Sequence, residues 1–314
     1  MPPQPAPPPA PDSTTAAIRA NYARVAGTYA GQWAETLATH GRALADRLAL
    51  NRPTPSAVTG AAAAAAAAIP ASEAVTSAAT AGAGAGVVGR ASGPWVVEVG
   101  CGPGLVLRHL AEVNPGARVV GVDLTEEMLR LAPAGFGRVV GDAQTLPFGS
   151  GVVDALVMPF VLFHLPALAV ALSEVRRVLV SGGAFGAVTW AGHDPHPAYD
   201  VWVRVIDEHG APPDPSPQMP SNDITSDPAK LRHALQAAGF GEVEITVERF
   251  RHQPSASEFL AHSQVIGAMA RRIEQLPPDR RTACLAVAEE ELGRLDPDAF
   301  IESGTVLYAT ARAT

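Results

Sequence analysis

Residues 95–105 read Trp-Val-Val-Glu-Val-Gly-Cys-Gly-Pro-Gly-Leu. A short β-branched run carries an acid, Glu98, and glycines follow at 100, 102 and 104. An apolar, helix-like segment comes next, Leu105–Val113. Glycines packed between a strand and a helix mark a place where a ligand comes close to the backbone. Working outward, the chain alternates. Apolar runs at 95–99, 117–122, 137–140, 152–158 and 183–190 read as strands, and 104–113, 125–132 and 166–179 as helices. Continuous apolar strands fit a parallel sheet covered on both faces. The alternation predicts an α/β fold with a doubly wound sheet. Further on, 199–208, 229–238, 256–268 and 280–293 read as helices, 240–248 and 304–312 as strands.

The remaining segments differ in composition. Residues 1–17 are a proline-rich tail expected to be disordered. Residues 18–52 form a helical segment, with Ile18, Tyr22, Val25, Tyr29 and Trp33 at helical spacing and breaks expected at Gly27, Gly31 and Gly41. Residues 53–93 are an alanine- and glycine-rich stretch with almost no large side chain to offset its ordering entropy, and read as a linker. Residues 94–314 form the main domain, with a proline- and histidine-rich insertion at about 191–230 that is expected to cap a substrate.

A net charge of −8 gives no broad attraction to phosphate backbones or anionic lipid, so no nucleic-acid or membrane partner is expected. Two cysteines, Cys101 and Cys284, suggest no disulfide framework and no zinc cluster. The N-terminal residues lack a secretory pattern, no run is apolar enough to span a membrane, and a cytoplasmic location follows as the expectation. Apolar stretches in the C-terminal helices would permit a homodimer.

Three ligands compete for the glycine loop. A phosphate-cradling P-loop needs Lys-Ser/Thr after its last glycine, and Leu105-Val106 stands there instead. A dinucleotide site wants its third glycine at 105, but it falls at 104. Val119–Asp123 is a second strand ending in an acid about 20 residues on, where a carboxylate can accept from both ribose hydroxyls. Then comes Gly-Asp-Ala-Gln-Thr-Leu-Pro-Phe at 141–148, and Val-Asp-Ala-Leu-Val at 153–157.

Together these motifs resemble the class I S-adenosylmethionine-dependent methyltransferases, in their small-molecule branch with a type 11-like methyltransferase domain. The match covers about 95–190. The resemblance implies a Rossmann-like seven-stranded sheet, mostly parallel, closed by one antiparallel C-terminal strand and joined by an N-terminal helical lid. It implies S-adenosyl-L-methionine as cofactor, with Glu98, Gly100, Cys101, Gly102 and Gly104 at its amino-acid tail. By the same token Asp123 takes the ribose and Asp142 and Ala143 the adenine, which Leu124 and Met128 flank. The backbone around Phe160 meets the methionine portion, and Tyr22 or Tyr29 lies over the cofactor.

The reaction implied moves a methyl group to an O, N or C nucleophile of a small-molecule acceptor by in-line displacement, mainly through positioning and exclusion of water. Amides at the start of helix 104–113 would suit the cofactor's carboxylate. His164, just past the fourth strand, is the first candidate base; its bland reading is helix capping. His193 and His196 either line the acceptor pocket or are solvated loop side chains. Their His-Asp-Pro-His spacing does not make a metal site, and no metal is expected. Cys101 reads as a small tolerated side chain, and Arg271 and Arg272 as a solvated helix face. Phe160, Phe163, Trp190 and Trp202 serve equally as pocket wall or core. Two other functions fit less of the pattern: an NAD(P)-dependent oxidoreductase, and a non-catalytic cofactor-binding scaffold.

Overall fold

A computed structural model of the chain describes residues 13–29, 32–48, 76–77, 93–214 and 221–314. Residues 1–12 of the proline-rich tail and nearly all of the alanine- and glycine-rich stretch lie outside these residues, while residues 13–17, expected to be disordered, belong to the first helix. Seven strands build the sheet: β1 Trp95–Val99, β2 Arg118–Asp123, β3 Gly137–Val140, β4 Val153–Pro159, β5 Leu179–His193, β6 Phe240–His252 and β7 Glu302–Ala313. Their order is β3-β2-β1-β4-β5-β7-β6, with a two-residue strand, Thr76–Ser77, added beside β3. Only β7 runs antiparallel to its neighbours. The chain therefore reverses direction in the sheet at β1, where β2 lies to one side and β4 to the other, the switch point at which α/β sheets bind ligands.

The helices follow as α1 Ser13–Tyr29, α2 Gln32–Leu48, α3 Leu107–Val113, α4 Glu126–Leu131, α5 Leu168–Val178, α6 Pro197–Glu208, α7 Ser221–Thr225, α8 Pro228–Ala237, α9 Ala256–Ser263, α10 Gly267–Glu274 and α11 Pro278–Gly293. In α5, Leu168, Ala171, Leu172, Val175 and Val178 repeat at helical spacing and are buried, so this helix covers one face of the sheet with Leu231 and Leu235 of α8. The other face is covered by α2 and α3, through Leu44, Ala45, Leu48, Leu107 and Leu110. Strand residues alternate between the two layers: Val97 and Val99 belong to the first core, Val96 to the second.

The N-terminal segment differs from its expectation. Gly27 lies within α1 and Gly41 within α2, so neither breaks its helix. The two helices also do different work. α2 is docked on the sheet: His40 Nδ1 meets Tyr308 Oη at 2.7 Å, and the Arg47 guanidinium lies 3.7 Å over the Tyr308 ring while binding Glu248 at 2.6 Å. α1 reaches over the carboxyl edge of the strands, with Ala34, Leu37 and Ala38 of α2 beside it.

The insertion also needs correction. α6 does not fold as a cap by itself. It shares a third core with segments some 50 to 100 residues later, in which Trp202, Val205 and Ile206 pack on Phe259, Ile273, Cys284, Ala288, Leu292 and Phe300. The expected helix 256–268 is divided into α9 and α10 at Gly267, whose φ of +88° no helix continues through. Leu44→Ala is expected to cost ~2–5 kcal/mol of stability, because Leu44 is 0% exposed between α2 and the sheet. Urea unfolding measures it, and a loss below ~1 kcal/mol would mean α2 is not part of the core.

Candidate active site

The carboxyl ends of β1, β2 and β4 open into one cavity beneath α1. The glycine loop folds back over the end of β2, with the Gly100 and Cys101 amides both donating to the Val122 carbonyl at 2.7 and 3.0 Å. This turn requires positive φ at Gly100 and Gly102. A Cβ at Gly100 would collide with Val161 at 2.3 Å, whereas one at Gly102 would meet nothing within 4 Å and would point into open space. The turn continues past Gly104, so α3 starts at Leu107 rather than at 104. The backbone amides beside the cavity thus belong to the loop, not to a helix N-terminus, which corrects the expectation. Gly104 is not on the cavity wall. It packs behind the loop against Ala132 and Pro133.

Each other residue assigned to the cofactor lines the cavity: Glu98, Gly100, Cys101, Gly102, Asp123, Leu124, Met128, Asp142, Ala143, Phe160 and Tyr29. Glu98 is 2% exposed, and its Oε2 has no hydrogen-bond partner among the described residues. Burial, reinforced by the nearby Asp123, pushes its carboxyl up to about 8. Asp123 is more occupied than the sequence suggests. Its Oδ2 accepts from the Gly102 amide at 2.8 Å, and its Oδ1 from the Thr125 amide and hydroxyl at 2.9 and 2.8 Å. A carboxylate has about four acceptor positions, so Asp123 keeps little capacity to spare and also pins the glycine loop to β2. Asp142 Oδ1 accepts the Gln144 amide at 2.8 Å. The following Leu-Pro-Phe turn is held by α5, where the Glu174 carboxylate accepts the Leu146 amide and Arg177 donates to the Leu146 and Phe148 carbonyls. Burial pushes the Cys101 thiol up, which keeps it neutral.

Phe160, the residue after β4, has a φ of +55°, a conformation an aromatic residue adopts at a cost of about 1–3 kcal/mol. Its amide donates to the Val188 carbonyl at 2.8 Å, and its ring packs 4.5 Å from Trp190. This kink turns the chain into the short 3₁₀ turn, Leu162–His164, that carries His164 to the cavity. His164 Nε2 and Tyr22 Oη share a hydrogen bond of 2.8 Å, and Tyr22 meets Tyr29 edge to face. Burial, with the charge of Arg271 adding to it, lowers the His164 imidazole to about 4. Burial raises both phenols, Tyr29 to about 12.

Two arginine assignments and one histidine assignment change. Arg271 is not a solvated residue; it binds Asp214 through Nε and Nη2 at 3.0 and 2.6 Å. Arg272 braces the 207–212 turn through Asp207 and the Ala211 and Pro212 carbonyls. His196 is no free loop side chain. Its Nδ1 caps α6 by accepting the Tyr199 amide, and its ring stacks on Phe259. Trp202 is core beneath the helices of the third cluster, and Trp190 packs behind Phe160 against the second core rather than on a cavity wall. Among the described residues no helix is long and apolar enough to cross a membrane.

Residues 97–187 match the profile of the methyltransferase domain family. The N-demethylindolmycin N-methyltransferase of Streptomyces griseus is 31% identical over 186 residues, which are 52% of this chain and 75% of that protein. The chain belongs to the S-adenosylmethionine-dependent methyltransferase family. A second methyltransferase relative, the malonyl-[acyl-carrier protein] O-methyltransferase of Geobacter sulfurreducens, is 30% identical over 183 residues, 55% of this chain and 66% of that protein. The first three curated relatives are matched over only 28%, 66% and 41% of their own lengths. Among solved structures, the phosphoethanolamine N-methyltransferase 2 of Haemonchus contortus in complex with S-adenosyl-L-methionine superposes with a TM-score of 0.40 at 16% identity, covering 70% of this chain and 49% of that one.

The cavity fits the methyltransferase cofactor on two counts of its own. A buried carboxylate oxygen waits without a partner, as an ammonium group requires, and the Gly102 face is open where any side chain would fill it. The carboxyl of Glu98 also sets a pH signature. Its ordinary value is 4.5 and its folded value about 8, so its contribution to stability is full below pH 4.5 and is lost as pH rises through 8. Without ligand, Glu98→Gln is expected to melt with the wild type at pH 5 and several degrees above it at pH 8–9, corresponding to roughly 2–5 kcal/mol. Thermal melts at both pH values check this, and a constant difference would remove Glu98 as an unpaired buried acid.

Proposed function

We propose that this chain transfers the methyl group of S-adenosylmethionine to a small organic acceptor. The observation that supports the reading most is the unpaired Glu98 carboxyl, facing a cavity with open glycine backbone on one side and Asp123 and Asp142 on the other. Glu98 would take the amine of the cofactor and the glycine loop its amino-acid tail. Asp123 would bond the ribose through its remaining acceptor position. Asp142 and Ala143 would read the adenine between Leu124 and Met128. The cofactor, when bound, supplies a methyl group made electrophilic by its sulfonium.

The chain's own part is to hold, orient and dry the site. With α1 down the cavity is about 160 Å³, less than the ~300–1,000 Å³ usual for small-molecule sites. α1 is the lid of this reading: lifting it would widen the entry and would break the Tyr22–His164 bond and the Arg24–Glu274 ion pair of 2.6 Å between α1 and α10. Closure restores both and seals the site. His164 lies where a base would stand, but an imidazole near 4 is too weak to match an alcohol or amine. Its role in the closed state is to hold Tyr22.

Incubation with methyl-labelled S-adenosylmethionine and a library of hydroxyl, amine and carbon acceptors tests the proposal. Label is expected to reach at least one acceptor, and Gly102→Val is expected to lower transfer by ~100-fold or more by filling the site. His164→Gln, which can keep the bond to Tyr22, is expected to stay within ~10-fold of wild type; a loss of ~10²–10⁴ would assign His164 as the base. Saturable cofactor binding with no transfer to any acceptor would favour a non-catalytic scaffold.

A further inference from the structure

A second and roomier cavity, about 650 Å³, opens at the same carboxyl edge of the sheet. Its floor is the end of three neighbouring strands. His193 closes β5, His252 closes β6 and Glu302 opens β7, and because β7 runs antiparallel its start lies beside the ends of the other two. Its roof is the helical cap: the start of α6, the end of α9 and the start of α10. One aromatic layer divides it from the first cavity. Phe160 lines the first, Trp190 packs on Phe160 at 4.5 Å, and His193, on the wall of the second, lies 5.3 Å from Trp190.

The polar groups of this cavity have one electrostatic character. Four imidazoles line it, and burial holds each below its ordinary value, His262 at about 4, so they are neutral at physiological pH. No lysine or arginine is among the lining residues. The carboxylates differ in what occupies them. Asp194 binds Arg249 and Ser303, Glu258 closes the capping box of α9 with Ser255, and Asp200 on α6 is exposed at the rim. Glu302 has no hydrogen bond or ion pair among the described residues, and burial raises its carboxyl to about 7. The apolar part of the wall is Phe259 with the His196 ring stacked on it, and Met269 and Ile266.

We propose that this cavity holds the methyl acceptor, and that the acceptor carries an amine, its ammonium paired with Glu302 and its apolar body against Phe259. A half-buried carboxyl without a counter-charge favours a cation over a neutral group and repels an anion. Rings around it add cation–π attraction. A divalent metal is not the occupant, since among the described residues no three ligating side chains converge. The size suits an acceptor anchored at one end, with its nucleophile directed past Phe160 toward the first cavity. The ammonium here is the anchoring group, and the methylated atom lies at the other end. This inference rests on the methyl-transfer reading for the word acceptor, but not for the cation preference.

The test uses the full chain without cofactor and three probes sharing one aromatic body: phenethylamine, 2-phenylethanol and phenylacetate. Ligand-observed NMR titration at pH 8 is expected to rank the amine at least tenfold tighter than the alcohol or the acid. Glu302→Gln is expected to erase that preference and Glu302→Asp to keep it, with melting curves confirming that both fold. Equal affinity for the three probes, a preference for the acid, no saturable amine binding, or a preference surviving in Glu302→Gln would overturn the proposal. S-adenosylhomocysteine binding, measured alongside, is expected to be unchanged in Glu302→Gln. Its absence in the wild type, with the amine ranking intact, would overturn the acceptor role and the methyl-transfer reading while leaving a cation site.

Discussion

The Glu98 carboxyl, buried at the end of β1 with one oxygen unbonded, is the constraint that gives the rest of the site its sense. Taking such a group out of water costs several kcal/mol unless something pairs with it. Nothing in the described chain does. The fold carries that cost at the centre of its sheet, at the point where strand order reverses, and places glycines with no side chain beside it. A protein selected only for stability would have an apolar residue there. The natural reading is that the missing partner is a cation brought by the ligand.

Position follows from the sheet. Parallel strands deliver all their carboxyl ends to one edge, so Glu98, Asp123, Asp142 and Phe160 arrive together without being close in sequence. The antiparallel β7 adds Glu302 to the same edge from its amino end. Two cavities result, one under α1 and one under the helical cap, divided by the Phe160–Trp190 pair. α10 links the two roofs: its Gly267 end covers the second cavity, and its Glu274 pairs with Arg24 of α1, the helix over the first.

Much of this was legible in the sequence, for physical reasons. Buried parallel strands must be continuous apolar runs, and the seven that were read all pair, joined only by the two-residue strand Thr76–Ser77. The glycine loop and its three acids were legible because each answers a local requirement of the backbone. Contacts between distant segments were not. The Tyr22–His164 bond joins residues 142 apart, and no periodicity announces it. Arg271 looked solvated because its partner, Asp214, lies 57 residues away. The cap was read as one insertion, whereas its core needs 197–211 and 259–300 together. The start of α3 was misplaced by three residues because positive φ at Gly102 and Gly104 extends the turn. Glu302 stood in an unremarkable strand opening, and only the register of β7 against β5 and β6 brings it to the edge.

The central claim is that the unpaired acid at the end of β1 exists to hold the cofactor's amine. Titration calorimetry of the wild type and Glu98→Gln with S-adenosylmethionine, and with NADH as the competing nucleotide, tests it most directly. The account predicts saturable heat with S-adenosylmethionine, none with NADH, and at least a tenfold weaker affinity in Glu98→Gln, about 1.4 kcal/mol. Saturation by NADH without any response to S-adenosylmethionine, or equal affinity in the two proteins, would contradict it.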